Sequence, residues 1–324
     1  MKIGYTMMCE QRGPKDLVND LVLAEQAGFD FSVISDHYSP WLESQGHAPY
    51  AWSVLGAAAA ATERIGLMTY VTCPTFRYHP AIVAQKAATV ALLSDGRFRL
   101  GLGAGENLNE HVVGGGWPPV DVRHEKLREA VEIIRALWEG EFVNYRGKHF
   151  NVESAKLYDL PEDPIQLGIA VSGKQSCDLA GAMADMAIAI EPDSEIVTRF
   201  EAAGGNGKTV VGQAACCYGP DAASALAMAH DQFRWFGGGW KVNAELPSTA
   251  GFEAASQYVR KEDLAAEIAH GPDLEAYVKS AQGFADAGFT ELAFVQIGPE
   301  QAAFCEWFAT TLRPALESAG ITDE

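Results

Sequence analysis

The sequence predicts a closed (β/α)8 barrel, and three observations carry that prediction. Eight short apolar runs are each followed by a stretch with helical spacing, which is the element count of such a barrel. The runs are continuous rather than alternating, as expected of parallel strands covered by helices. No G-x-G-x-x-G follows the first run, which counts against a doubly wound nucleotide-binding sheet.

The first strand is placed at residues 2–7, before a helix over 15–27 that Gly28 closes as a C-cap glycine. A second strand at 31–35 precedes a helix over 50–62. A third at 65–71 precedes one over 80–93, with Pro80 at a first-turn position. The fourth strand, 97–102, leads through a glycine-rich loop into a long helix over 123–138. Residues 141–160 read as an irregular, strand-rich insertion ahead of strand five (165–171) and its helix (175–183). Strand six (186–190) precedes a helix over 196–203, and strand seven (209–217) precedes one over 221–236. An aromatic, glycine-rich stretch runs to about residue 270, before a helix over 274–287, strand eight (291–295) and a closing helix over 299–319. No Pro/Ser linker, charge block or low-complexity tract divides the chain. Residues 1–324 are therefore expected to form one barrel domain with insertions near 104–120, 140–162 and 237–270.

The 43 acidic residues outnumber the 24 basic ones, leaving a formal charge of −19. Neither nucleic acid nor an anionic membrane is attracted to such a surface, so neither is expected as a partner. A small anionic ligand in a local basic pocket stays compatible with it. No apolar run approaches the roughly 18–20 residues of a membrane span, and the N-terminus reads as a strand rather than a signal peptide. Six cysteines without C-x-x-C spacing suit free thiols in a reducing compartment, so a cytoplasmic location is expected. The histidines are scattered without H-E-x-x-H spacing, and no metal site is expected.

Barrel enzymes carry their chemistry at the C-terminal ends of the strands. That rule selects Ser35-Asp36-His37 with Trp41 after strand two, Tyr70-Val71 at strand three, and Ala104-Gly105-Glu106 with Asn109 after strand four. It also selects Ser172-Gly173-Lys174 after strand five and Glu191-Pro192-Asp193 after strand six. His37 is suited to acid–base work near neutral pH, and Asp36 supplies a neighbouring carboxylate. Helix capping by Asp36 beside an exposed His37 fits the same residues. Adjacent strand-end residues point in different directions, so the two need not form a dyad. Glu106 follows three small residues that let backbone approach a flat ligand closely, although a solvated loop acid fits equally well. Trp41 serves as a pocket wall or as packing. The aromatic residues Phe233, Trp235, Phe236 and Trp240 read as core or dimer packing ahead of a pocket lid.

These motifs resemble the luciferase-like barrel oxidoreductases that use the deazaflavin coenzyme F420, in their glucose-6-phosphate dehydrogenase-like branch. The resemblance is carried by Ser35-Asp36-His37 with Pro40-Trp41, Gly46-His47-Ala48-Pro49, Pro74-Thr75-Phe76-Arg77-Tyr78-His79-Pro80, Gly103-Ala104-Gly105-Glu106-x-x-Asn109-Glu110 and Leu137-Trp138-Glu139-Gly140. It implies F420 as cofactor, hydride transfer at an alcohol or carbonyl carbon, and a homodimer. It also implies roles. His37 would be the general base, Trp41 would line the reacting face, and Glu106 would serve the reduced ring. Asp36 and Asn109 would hold the cofactor, Tyr70-Val71 would form a cis peptide behind the ring, and Ser172, Gly173 and Lys174 would line its phosphate side.

Two departures bear on substrate. Asp193 stands where sugar-phosphate members of the family carry a lysine, and Leu264-Ala265-Ala266-Glu267 offers no arginine. A phosphate dianion needs cations there, so a neutral alcohol, or its carbonyl, is the expected substrate. Lys241, Arg260 and Lys261 are the cations that could restore a phosphate site. A sugar-6-phosphate dehydrogenase, an FMN-dependent luciferase-like monooxygenase and a non-catalytic flavin-binding barrel are the alternatives.

Overall fold

The computed structural model describes residues 1–322; 323 and 324, the end of the expected domain, lie outside the described residues. The eight expected strands close into a parallel barrel. They are β1 (Lys2–Met7), β2 (Phe31–Ile34), β3 (Gly66–Thr69), β4 (Phe98–Leu102), β5 (Leu167–Ala170), β6 (Met186–Ile188), β7 (Thr209–Cys217) and β8 (Glu291–Gln296). Each pairs with the next, and β8 returns to β1 with Lys2 opposite Glu291. The helices pack outside, as the covered, unalternating strands require.

Two layers of apolar packing fix this shape. Inside the barrel, Phe31, Val33, Met68, Ile188 and Val211 form a cluster separate from the one between strands and helices. Gly4 admits the Phe31 ring, which a Cβ there would meet at 2.5 Å. Across one end of the barrel Arg99 pairs with Glu291 at 2.7 Å and lies 5.2 Å over the Phe31 ring centroid. The charged plug ties β4 to β8.

The departures from expectation are local. The 141–160 insertion is an antiparallel hairpin, Val143–Arg146 against Asn151–Ala155. A short helix, Asn107–Glu110, follows Glu106 where a loop was expected. The helix expected over 221–236 stops at Phe233, and a 3-10 turn continues it over Arg234–Gly238. The following insertion holds three short helices and a two-residue strand, Ala269–His270, that pairs with Cys216–Cys217. All six cysteines are buried and free. Among the described residues no helix is long and apolar enough to cross a membrane.

Candidate active site

The site is built at the C-terminal mouth of the barrel, where β1, β2, β3 and β4 end side by side. Glu10 follows β1, and His37 follows β2. Their side chains meet directly, Glu10 Oε1 on His37 Nδ1. Glu10 is wholly buried, and its Oε2 accepts from Ser35 Oγ at 2.8 Å. On the other face of the imidazole, Nε2 lies 3.5 Å from Glu106 Oε1. Burial alone would push His37 below its ordinary value. The charge of Glu10, its hydrogen bond, and the charge of Glu106 outweigh burial and Arg77 together, raising the pKa to about 9. At neutral pH the site therefore holds an imidazolium between two carboxylates.

Glu106 is held from the short helix that follows it. Asn109 Nδ2 donates to Glu106 Oε1 at 2.6 Å, while Asn109 Oδ1 accepts from the backbone N–H of Tyr38 and Ser39 at 2.7 and 2.9 Å. One buried amide thus links the two loops, and one N–H of Asn109 Nδ2 is committed to Glu106.

Asp36 points the opposite way from His37, as the alternation of a strand end dictates. Its Oδ2 accepts from Trp52 Nε1 at 3.0 Å and Thr72 Oγ1 at 2.7 Å. Its Oδ1 accepts from Tyr78 OH at 3.0 Å and pairs with Arg77 Nη1 at 3.3 Å. Four partners thus surround the buried Asp36 carboxylate, which stands behind the mouth. Arg77 also pairs with Glu110, which burial pushes up to about 7 despite that cation.

Beside these charges the backbone forms a bare cradle. The Tyr70–Val71 bond is cis, as the resemblance implies. A Cβ at Gly103 would meet Val71 Cγ2 at 2.5 Å, and one at Gly105 would meet Cys73 Sγ at 2.6 Å. With Ala104 between them, no side chain larger than a methyl group stands on this stretch, which fits a flat aromatic ring system. Around the mouth, Ser172, Gly173 and Lys174 open the helix Lys174–Met183. Lys174 is exposed and paired with Asp178 at 2.6 Å, while the N–H groups of Ser172 and Gly173 are taken by Ser176 Oγ. An exposed cation at a helix start suits an anionic tail, provided the ligand competes with Asp178.

The roof is aromatic. Trp41 stands edge-on to His37 at 4.9 Å, stacks on Trp235 at 4.3 Å and 15°, and meets Phe252 at 5.0 Å. Trp235 packs against the buried cluster of Trp41, Leu42, Phe233 and Phe252, in line with the packing expected of it. Asp193 Oδ1 caps its own helix by accepting from Glu195 N at 2.8 Å. Arg260 is bound to Asp263 at 2.5 Å and Arg234 to Glu253.

Sequence reasoning missed Glu10, Arg77, Glu110 and Trp235 as site residues. The strand-end rule that selected His37 selects Glu10 after β1 just as well.

Residues 1–305 match the family described as luciferase-like monooxygenase. The chain belongs to the luciferase-like family. Within it, the chain is 36% identical over 339 residues to an F420-dependent glucose-6-phosphate dehydrogenase of Beutenbergia cavernae, covering 98% of each chain. An enzyme of the same name from Segniliparus rotundus is 36% identical over 332 residues, again covering 98% of each. Among luciferase-like folds of known structure, an F420-dependent secondary alcohol dehydrogenase in complex with an F420-acetone adduct superposes with a TM-score of 0.89. It is 28% identical, with 95% of this chain and 97% of that one covered. The coenzyme F420-dependent tetrahydromethanopterin reductase of Methanopyrus kandleri shares the fold, with a TM-score of 0.78 at 20% identity over 97% of this chain and 99% of that one.

Proposed function

We propose that this luciferase-like barrel is an F420-dependent oxidoreductase that interconverts a neutral alcohol and its carbonyl compound. The observation that carries the reading is His37 held between Glu10 and Glu106 beneath Trp41, next to the bare cradle at 103–105. Tyr70, Val71, Ala104, Gly105 and Glu106 would hold the deazaflavin ring, and Ser172, Gly173 and Lys174 its anionic tail. When bound, F420 supplies the acceptor and donor of the hydride.

The protein's part is proton handling and orientation. His37 Nε2 faces the mouth; as the imidazolium it gives its proton to a carbonyl oxygen, and in its neutral form, with its proton passed on, it takes the proton of an alcohol. Glu10 fixes the ring through Nδ1 and stabilises its charged form. Glu106, braced by Asn109, is the second carboxylate in reach of a transferred proton. Trp41 and Trp235 shield the site from water, which strengthens each of these interactions. Asp36 supports the wall behind them without touching the ligand.

The substrate is unphosphorylated in this reading. The roof is apolar, Asp193 and Arg260 are engaged locally, and Arg234 is held by Glu253. The names of the dehydrogenase relatives favour a second reading, glucose 6-phosphate, with Lys241 and Lys261 as the exposed cations that would serve it. One experiment separates the readings. The protein is titrated with F420 and with FMN, and then 2-propanol, glucose and glucose 6-phosphate are tested while F420 absorbance is followed. Turnover of the neutral alcohol alone supports the proposal. Turnover of glucose 6-phosphate selects the second reading, and FMN binding without F420 binding defeats both in favour of a monooxygenase.

The enzyme is further proposed to work as one barrel unit, in a cytoplasmic setting that suits its six free thiols, and as a homodimer. Exposed apolar side chains on two neighbouring helices support the pairing, Ala57 and Ala60 on one and Ile82 and Leu93, 50% and 51% exposed, on the other. A solution mass equal to one chain would remove the dimer.

A further inference from the structure

His37 is clamped on both sides of its own peptide. Just before it, the Asp36 carbonyl accepts from Arg77 Nη2. Just after it, the N–H groups of Tyr38 and Ser39 donate to Asn109. Both clamps reach across to the loop that carries Glu106. Asn109 holds Glu106 directly at 2.6 Å. Arg77 holds Glu110, the next residue on the same short helix, by a hydrogen bond from its own backbone N–H at 3.0 Å and by an ion pair with Nε 3.4 Å from Oε1.

The guanidinium is therefore a buried bracket. Its side chain is 8% exposed, and the Asp36 and Glu110 carboxylates on either side are 0% and 1% exposed. Two carboxylates around one cation are costly to bury, so stability alone is a weak reason for such a cluster behind a mouth. Its geometry offers another. One planar fork reaches a carbonyl and two carboxylates at once, which the point charge of a lysine cannot do. The Asn109 amide braces the front of the two loops, and Arg77 braces the back.

Resting on the oxidoreductase reading above, we propose that Arg77 is a positioning residue that fixes the His37 loop against the Glu106 loop and so sets the spacing across which these two groups handle the proton. Arg77 touches neither substrate nor cofactor in this role. Its loss lowers turnover by loosening the pair, and substrate binding is left nearly intact.

The decisive readout is the coupling between His37 and Glu106 in the protein without cofactor. The charged groups facing His37 are Glu10, Glu106 and Arg77. His37 is titrated by NMR in the wild type, E106Q, R77K and R77K/E106Q. Lysine keeps the charge, so the direct effect of the cation is retained while the fork is lost. The expected result is that E106Q lowers the His37 pKa in the wild type and lowers it less than half as far in the R77K background. Equal shifts in the two backgrounds overturn the proposal. Should R77K fail to fold, E110Q cuts one arm of the bracket in a folded protein and is expected to weaken the coupling partially; undiminished coupling there overturns the proposal too. With F420 and alcohol, R77K is expected to lose about 10- to 100-fold in kcat with KM within about threefold, the scale of a small misplacement. A wild type that fails to turn over with F420 while the coupling behaves as expected counts against the oxidoreductase reading and leaves the spacing role supported.

Discussion

Glu10 and His37 form a close ion pair in which the carboxylate is wholly buried and the imidazole is open only toward the mouth. The pair fixes both the orientation and the charge of the imidazole, because Nδ1 is committed to Glu10 and only Nε2 faces the mouth.

Glu10→Gln tests that relationship through pH. The His37 pKa of about 9 lies above its ordinary 6.5, so its contribution to stability is complete below pH 6.5 and is lost as pH rises through 9. Glu10 sits below its ordinary 4.5, because His37 and the bond to it outweigh desolvation; its contribution holds above pH 4.5 and is lost on acidification. The stability difference between wild type and E10Q should therefore be widest near pH 5–6.5 and narrow toward pH 9 and above. In E10Q the His37 titration should fall toward 6.5, and the pH dependence of kcat/KM should move down with it. Urea midpoints across this range and a pH–rate profile check both. An unmoved profile would take Glu10 out of the mechanism.

Asp36→Asn separates a supporting carboxylate from a ligand-binding one. The variant places an amide donor among Trp52, Thr72, Tyr78 and Arg77, all of which offer donors to this position. Breaking such a buried pair costs about 3–5 kcal/mol. The expected outcome is a lower urea midpoint with F420 affinity of the folded protein within about threefold of wild type. Normal stability with lost F420 affinity would return Asp36 to the cofactor.

The contrast between Asp36 and Glu10 also marks what the sequence could disclose. The eight barrel strands were legible because parallel, covered strands are continuous apolar runs, and helix Pro80–Leu93 announced itself with Pro80 at its start. The strand-end rule then found His37, Trp41 and Glu106. It could not tell which strand-end carboxylate turns toward the mouth. Asp36 and His37 are neighbours in sequence and face opposite ways in space, while Glu10 reaches His37 from another strand. Arg77 was visible only as part of a motif, since its bracket depends on two carboxylates brought together by folding. The helices of the last insertion, such as Lys261–Ala265, are too short to show a helical period.

Gly105→Ala should be more harmful than Gly114→Ala, although both glycines have left-handed backbone, with φ of 86° and 83°. Each substitution incurs a conformational penalty of about 1–3 kcal/mol. Only at Gly105 would the new Cβ meet buried neighbours, Cys73 Sγ at 2.6 Å and Glu110 Cγ at 3.0 Å, whereas Gly114 has nothing within 4 Å. Overpacking of that kind adds about 1–3 kcal/mol. Chemical unfolding of the two variants measures the difference directly, and equal losses would show that the cradle has room to spare.

Trp235→Ala opens the roof. Trp235 stacks on Trp41 from the turn Arg234–Gly238, and its indole N–H is buried without a partner, so packing rather than hydrogen bonding holds it there. Removing the ring exposes one face of Trp41 and admits water to the side of the imidazole that Trp41 shields at 4.9 Å. A small alcohol loses apolar contact, and its KM should rise about tenfold, which corresponds to about 1.4 kcal/mol of binding. A bulkier secondary alcohol gains the vacated volume, so its kcat/KM relative to the small alcohol should increase. Trp235→Phe should retain most of the wild-type preference, because a phenyl ring can still stack on Trp41. If the substrate preference of W235A matches wild type, Trp235 packs the insertion and plays no part in selecting the substrate.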